Sequence, residues 1–201
     1  MVVTAAPHDA IWESVPADAR PERFELRRTF LLGHVEAGAT VLDLGCGAGE
    51  FSAELAAAGA TPVAVDVAAE ALRRAGERVP GLDARLWPAG EPLPLEDNSV
   101  DAVWAGEVIE HVVDVAPWLS EVRRVLRPRG TLLLTTPDHG PGTLLALALS
   151  PRRFAAHFDP RADHVRFFSR RTLRALLDDL GFDVTDLRAR RATILARAVR
   201  A

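Results

Sequence analysis

The sequence predicts a doubly wound α/β fold, a largely parallel sheet with an antiparallel finish, and three observations carry that prediction. Short apolar runs bounded by Gly, Pro or Asp alternate with helical patterns over most of the 201 residues. The first of these runs breaks into the glycine turn Gly45-Cys46-Gly47-Ala48-Gly49 and then into a helical stretch. The last two apolar runs follow each other with no helix between them, as a hairpin does.

Taken in order, residues 21–35 place Phe24, Phe30, Leu31 and Val35 among charged residues, an amphipathic helix expected to end near Gly38 and to cap the strand-and-helix core after it. Residues 40–44 read as a buried strand and residues 50–58 as a helix; strand 62–66, helix 68–78 and strand 82–87 repeat the unit. After the turn Glu91-Pro92-Leu93-Pro94-Leu95 come strand 100–104, helix 117–126 and strand 130–136. The apolar run from Leu144 to Leu149 reads as part of a buried helix. Ser169 is a good N-cap for a helix carrying Leu173, Leu176, Leu177 and Leu180 and stopped by Gly181. Strands 182–187 and 192–199 complete the pattern, turning near residues 189–191. A single domain over 1–201 is expected, with a cap region at 1–38, a core from 39 and an insertion at about 138–168.

Composition narrows the chemistry. With 48% hydrophobic residues the chain can build a core without staples, and its one cysteine, Cys46 between two glycines, suits packing and a reducing cytoplasm. No basic-then-apolar leader and no run approaching ~20 apolar residues is present, so secretion and membrane contact are not expected. The net charge of -4 hides an asymmetry: residues 151–201 hold 12 of the 24 basic residues and 6 of the 28 acids. All the basic residues are Arg, which excludes a lysine Schiff base and a P-loop lysine, and the absence of Tyr removes that catalytic base.

A glycine turn between first strand and first helix presents backbone N–H groups and a positive helix end at the sheet's carboxyl edge, where nucleotides bind. A dinucleotide fingerprint needs its third glycine one residue later, where this chain has Glu50. Asp43 and Glu50 flank the turn; they would repel a pyrophosphate and suit a ligand bearing an ammonium and a sulfonium, as S-adenosylmethionine does. Asp66 ends the second strand, where a carboxylate can accept from both ribose hydroxyls. The plainer alternative is that the glycines only turn the chain and Asp66 only caps the next helix.

Val41-Leu42-Asp43-Leu44-Gly45-Cys46-Gly47-Ala48-Gly49, Asp66 and Leu93-Pro94-Leu95-Glu96-Asp97-Asn98-Ser99-Val100-Asp101 together resemble class I S-adenosylmethionine-dependent methyltransferases of the ubiquinone-biosynthesis O-methyltransferase kind, over nearly the whole chain. The resemblance implies a seven-stranded Rossmann-like sheet with an antiparallel last strand. It implies that Asp43, Gly45, Cys46, Gly47 and Gly49 hold the methionine moiety, Asp66 and Val67 the ribose, Ala89 and Gly90 the adenine, with Glu107 also at the cofactor. One departure stands out: the acid that such enzymes place before Leu-Pro-Phe is missing from Trp87-Pro88-Ala89-Gly90-Glu91, so Trp87 either stacks on the adenine or packs in the core.

Gly106-Glu107-Val108-Ile109-Glu110-His111 follows the fourth strand, and on a helix Glu107, Glu110 and His111 share one face. The segment resembles that of metal-dependent O-methyltransferases acting on ubiquinone precursors or on the 3′-terminal 2′-hydroxyl of small RNAs, with His164 in the place of a further distant ligand. Glu107, Glu110, His111 and His164 are therefore the candidate ligands for Mg, Mn or Zn; the plainer alternative, since many relatives with this segment have no demonstrated metal, is that the pair organises the pocket floor. Without a metal, His111 or His164, with Glu107 beside them, is the candidate proton acceptor, and His139 a third histidine for that role. The 140–171 loop combines Phe154, Phe158, Phe167 and Phe168 with Arg152, Arg153, Arg161, Arg166 and Arg170, which fits an anionic or aromatic small acceptor better than RNA in an acidic chain with no RNA-binding module. The expected activity is methyl transfer to a small molecule, most readily at oxygen, by a monomer or homodimer. The alternatives are a catalytically silent S-adenosylmethionine- or nucleoside-binding protein, a metal-dependent RNA 2′-O-methyltransferase and, disfavoured by the glycine spacing, a nicotinamide enzyme.

Overall fold

The computed structural model describes Trp12, Val15, Pro16 and residues 19–88, 90–159 and 164–201. A seven-stranded sheet runs in the order β3-β2-β1-β4-β5-β7-β6. Its strands are β1 (Thr40–Leu44), β2 (Thr61–Asp66), β3 (Asp83–Leu86), β4 (Val100–Gly106), β5 (Leu126–Pro137), β6 (Phe182–Arg190) and β7 (Thr193–Arg200). The first five pair in parallel, and β7 pairs antiparallel with both β5 and β6. The expected doubly wound sheet with its inverted strand is therefore what the chain forms. The order of connection reverses between β1 and β4, so their carboxyl ends open the crevice in which such sheets bind ligands.

Strand alternation sorts the core into two layers. Leu42, Leu44, Val103, Ala105, Leu132, Leu134, Ile194 and Ala196 face α4 (Val115–Val125) and α7 (Arg170–Asp179), which contribute Leu119, Val122, Leu173 and Leu177. Val41, Ala102, Trp104, Leu133 and Leu195 face the other way, onto Phe30 and Leu31 of α1 (Phe24–Leu32) and Phe51 and Leu55 of α2 (Glu50–Ala57). Each such buried side chain contributes about 1.5–3 kcal/mol. A smaller cluster of Cys46, Ala64 and Ala75 seats α3 (Ala69–Arg78) beside β2, so Cys46 is the packing residue its neighbours implied.

Three expectations are corrected. The cap helix stops at Leu32 rather than near Gly38, because Gly33 turns the chain and the His34 ring closes on Phe30 O at 2.8 Å. The Leu144–Leu149 segment is helical but not buried: α5 (Pro141–Ala148) leaves the sheet after β5 and packs on α6 (Pro151–His157), with Leu145 61% and Leu149 78% exposed. Glu107, Glu110 and His111 do not share a helix face. Glu107 takes a left-handed φ of 58° at the end of β4, and a short 3₁₀ turn (Ile109–His111) carries the other two. The N-cap at Ser169 forms with a full capping box to Thr172.

Candidate functional site

The glycine loop leaves β1 and folds back on β2: Gly45 N–H and Cys46 N–H both donate to Val65 O, at 2.8 and 3.1 Å. Gly49 must be glycine on two counts, a φ of 79° and a Cβ position only 2.9 Å from the Ala75 backbone, so its bareness lets α2 and α3 close together. Asp66 locks the loop, its two oxygens accepting from Gly47 N–H and Ala68 N–H at 2.9 Å each. It thus does what the plainer sequence alternative required of it, from a position at the crevice.

Asp43 lies on the α1–α2 side of the sheet and is buried. Ser52 Oγ donates to it at 2.6 Å, yet burial, with the Asp66 charge adding, pushes its carboxyl up to about 7. Glu50, the other acid of the sequence argument, turns away and pairs with Arg78 at 2.7 Å. The counter-charge at the crevice comes from a residue that sequence reasoning missed. Arg27 of α1 is 4% exposed, with its guanidinium 4.8 Å from the Phe51 ring centre and 5.8 Å from that of Trp104. Its Nε has no hydrogen-bond partner among the described residues. Burial lowers its pKa, against the pull of Glu107, Glu110 and Asp43. The signal was in the sequence: Phe24, Arg27, Phe30 and Leu31 fall on one helical stripe, and an arginine there must be buried.

Glu107 and Glu110 close the β4 side. Glu107 N–H donates to Thr135 O at 2.9 Å, and its buried Oε1 is unpartnered among the described residues. Glu110 is fully buried; Thr136 Oγ1 donates to its Oε2 at 2.9 Å, and its Oε1 has no partner among the described residues. Burial first, and the Glu107 charge second, push the Glu110 carboxyl up to about 8. The Glu110 carbonyl receives Val165 N–H and Arg166 N–H, at 2.9 and 3.0 Å, and this brings His164 to His111 with ring centres 4.8 Å apart. Among the described residues Glu110, His111 and His164 offer ligand atoms within 4.8 Å of one another, and Glu107 is not part of the group.

Beyond β5 the chain forms the α5–α6 hairpin, which is tied back to the sheet by histidines. His139, also buried, has its Nδ1 3.2 Å from Pro137 O and its Nε2 2.8 Å from His157 Nε2, while Phe154, Phe158 and Phe167 stack in sequence onto the pair. With both ring nitrogens engaged, His139 joins the hairpin to the sheet and is not a free base. Arg166 is spent on the Val112 and Val113 carbonyls, and Phe168 is core. Trp87 packs against the main core with its Nε1–H on Glu91 O at 2.7 Å, and Gly90 is exposed in the same turn; Ala89, Arg161 and Asp163 lie outside the described residues.

The donor set fits an adenosine ligand with an amino-acid tail: a cation, three carboxylates and a glycine cradle at one switch point. Residues 17–187 match the model of a methyltransferase domain family. The chain belongs to that family. A Mycolicibacterium smegmatis protein named "Probable S-adenosylmethionine-dependent methyltransferase" is 36% identical to this methyltransferase domain over 155 residues, 77% of the chain and 56% of that protein. "Ubiquinone biosynthesis O-methyltransferase" of Xanthomonas oryzae is 36% identical over 134 residues, 64% of the chain and 55% of the protein. The domain spans about half the length of these curated relatives. A solved protein of Pyrococcus horikoshii superposes with a TM-score of 0.74 at 22% identity, covering 96% of this chain and 99% of its own. An Aquifex aeolicus SAM-dependent methyltransferase does so with 0.68 at 23%, covering 90% and 94%. Both share the doubly wound fold of this chain. No helix among the described residues is long and apolar enough to cross a membrane.

Proposed function

We propose that the chain transfers the methyl group of S-adenosylmethionine to an oxygen of a small-molecule acceptor held beneath the α5–α6 hairpin. The observation that carries this reading is the concentration of buried, unpartnered polar atoms at the carboxyl ends of β4 and β5: Arg27 Nε, Glu107 Oε1, Glu110 Oε1 and Thr135 Oγ1. Buried polar groups are usually paired, and although Trp118 Nε1, Thr193 Oγ1 and Arg197 Nε are also without partners among the described residues, a cluster of four orphans beside a glycine loop supports a site awaiting ligand atoms. In this reading Arg27 takes the methionine carboxylate, Asp43 and Glu107 the ammonium, and Asp66 with the Val67 backbone the ribose hydroxyls, a carboxylate at a strand end being suited to accept from a vicinal diol. Gly45, Cys46, Gly47 and Gly49 cradle the tail, and Gly90 borders the adenine. Methyl transfer from a sulfonium is a displacement on an activated carbon, so most of the acceleration is positional.

Oxygen is favoured as the acceptor atom by the name of the Xanthomonas relative and by Glu110, His111 and His164, one carboxylate and two imidazoles in a set that suits Mn, Zn or Mg. A cation held there would lower the pKa of an acceptor hydroxyl. In its absence His111 and His164 are the proton acceptors.

Calorimetry on metal-stripped protein tests the reading. S-adenosylmethionine should bind, and Asp66→Ala, which removes two charge-assisted bonds worth about 1.5–3 kcal/mol each, should weaken it by at least ~100-fold with the circular dichroism unchanged. A separate Mn heat lost in Glu110→Gln would support the cation. Absence of cofactor binding by the intact chain would overturn the proposal.

A further inference from the structure

Trp12 stands directly against the glycine loop. A Cβ at Gly47 would stand 2.8 Å from its Cη2 and 2.9 Å from its Cζ2, so the six-membered ring of the indole lies on the bare Cα of the middle glycine. The same Gly47 donates its N–H to Asp66. The indole and the ribose-binding acid therefore bracket one residue of the cradle.

The indole is held there from outside. Val15 N–H donates to Trp12 O at 3.3 Å, closing a turn, and Arg74 Nη1 of α3 donates to Val15 O at 2.8 Å. Arg74 is itself fixed by Glu70, at 2.8 Å. Yet Trp12 belongs to none of the three apolar clusters and remains partly exposed. Among the described residues this tryptophan stands at a ligand loop and joins no core cluster, and indole is the side chain whose face best attracts a cation.

We infer that Trp12 is a cofactor-binding residue that forms the outer wall of the site and recognises the positive charge of the sulfonium. This rests on S-adenosylmethionine being the cofactor, and it adds a specificity device: the charged donor is held more tightly than its neutral product, S-adenosylhomocysteine. Arg27, Asp43 and Asp66 touch parts that donor and product share, so none of them makes that distinction.

The test is the ratio of the two dissociation constants, by calorimetry, in the intact chain, Trp12→Phe and Trp12→Leu. Trp12→Leu is expected to weaken S-adenosylmethionine about tenfold and S-adenosylhomocysteine only about two- to threefold, with Trp12→Phe between. An unchanged ratio in Trp12→Leu, or tighter binding, overturns the inference and leaves the cofactor reading intact. Failure of both ligands to bind the intact chain overturns the cofactor reading first.

Discussion

Replacing Asp43 by Asn should make the protein more stable and a poorer binder. Asp43 is fully enclosed and its carboxyl is pushed up to about 7, against an unfolded value near 3.9. A carboxyl held about three pH units above its unfolded value costs about 4 kcal/mol of folding free energy once ionised. The sign follows from proton binding. Below about pH 4 the group is protonated in both states and costs nothing. Between about pH 4 and 7 only the unfolded chain releases the proton, so stability falls as pH rises, and above about 7 the penalty is constant. An asparagine in that place would not ionise, and its amide oxygen can still accept from Ser52 Oγ. At about 2–4 °C per kcal/mol for a chain of this size, Asp43→Asn should melt roughly 8–16 °C higher at pH 8 and nearly unchanged at pH 4. S-adenosylmethionine should bind about 10- to 100-fold more weakly, through loss of one charge-assisted bond. Melting by circular dichroism at both pH values, without ligand, is the assay. An equal shift at the two pH values, or a less stable variant at pH 8, would refute the assignment of Asp43 as a strained acid kept for its ligand.

Two further outcomes are expected. Arg27→Met should weaken S-adenosylmethionine about 10- to 100-fold but leave 5′-methylthioadenosine, which lacks the amino-acid tail, within about twofold; a matching loss for both would place Arg27 outside the carboxylate subsite. Burial lowers the pKa of both His139 and His157, with the charge of His157 adding at the first and that of His164 at the second, so their contact is fully formed above about pH 6.5 and is lost as pH falls through the lowered values. Hydrogen exchange across residues 141–158 should accelerate at pH 5.5 relative to pH 7.5 after correction for intrinsic rates, and His157→Gln should abolish the difference; persistence of the difference in that variant would assign the transition to other groups.

The strands were legible because sheet burial writes itself into composition: β1 begins and ends where its apolar run does, and Gly181 and Ser169 mark α7 by their own chemistry. Periodicity misled where tertiary placement overrode it. The leucines of α5 look like core residues, but the helix starts at Pro141 beyond the sheet, where none of its residues is buried among the described residues. Glu107, Glu110 and His111 have helical spacing, but the backbone leaves β4 through a left-handed residue, so three candidates on one face became a pair on a 3₁₀ turn joined by His164. Ser52 and His157 act through partners 9 or more positions away, Asp43 for the one and His139 for the other, and no local pattern encodes such a contact.

The inverted strand also governs how the chain can be made. β7 follows β6 in sequence but lies between β5 and β6 in the sheet, so the hydrogen-bonding edge of β5 stays open until β7 has emerged and inserted. That edge belongs to Leu132, Leu133 and Leu134, an apolar strand with no gatekeeping charge among them. During synthesis it is a template for pairing with a neighbouring nascent chain, and the pairing that closes it is the most distant step of assembly. Substitutions that slow β6–β7 hairpin formation, at the Arg191–Ala192 turn above all, would therefore lower the yield of folded protein before they changed its stability.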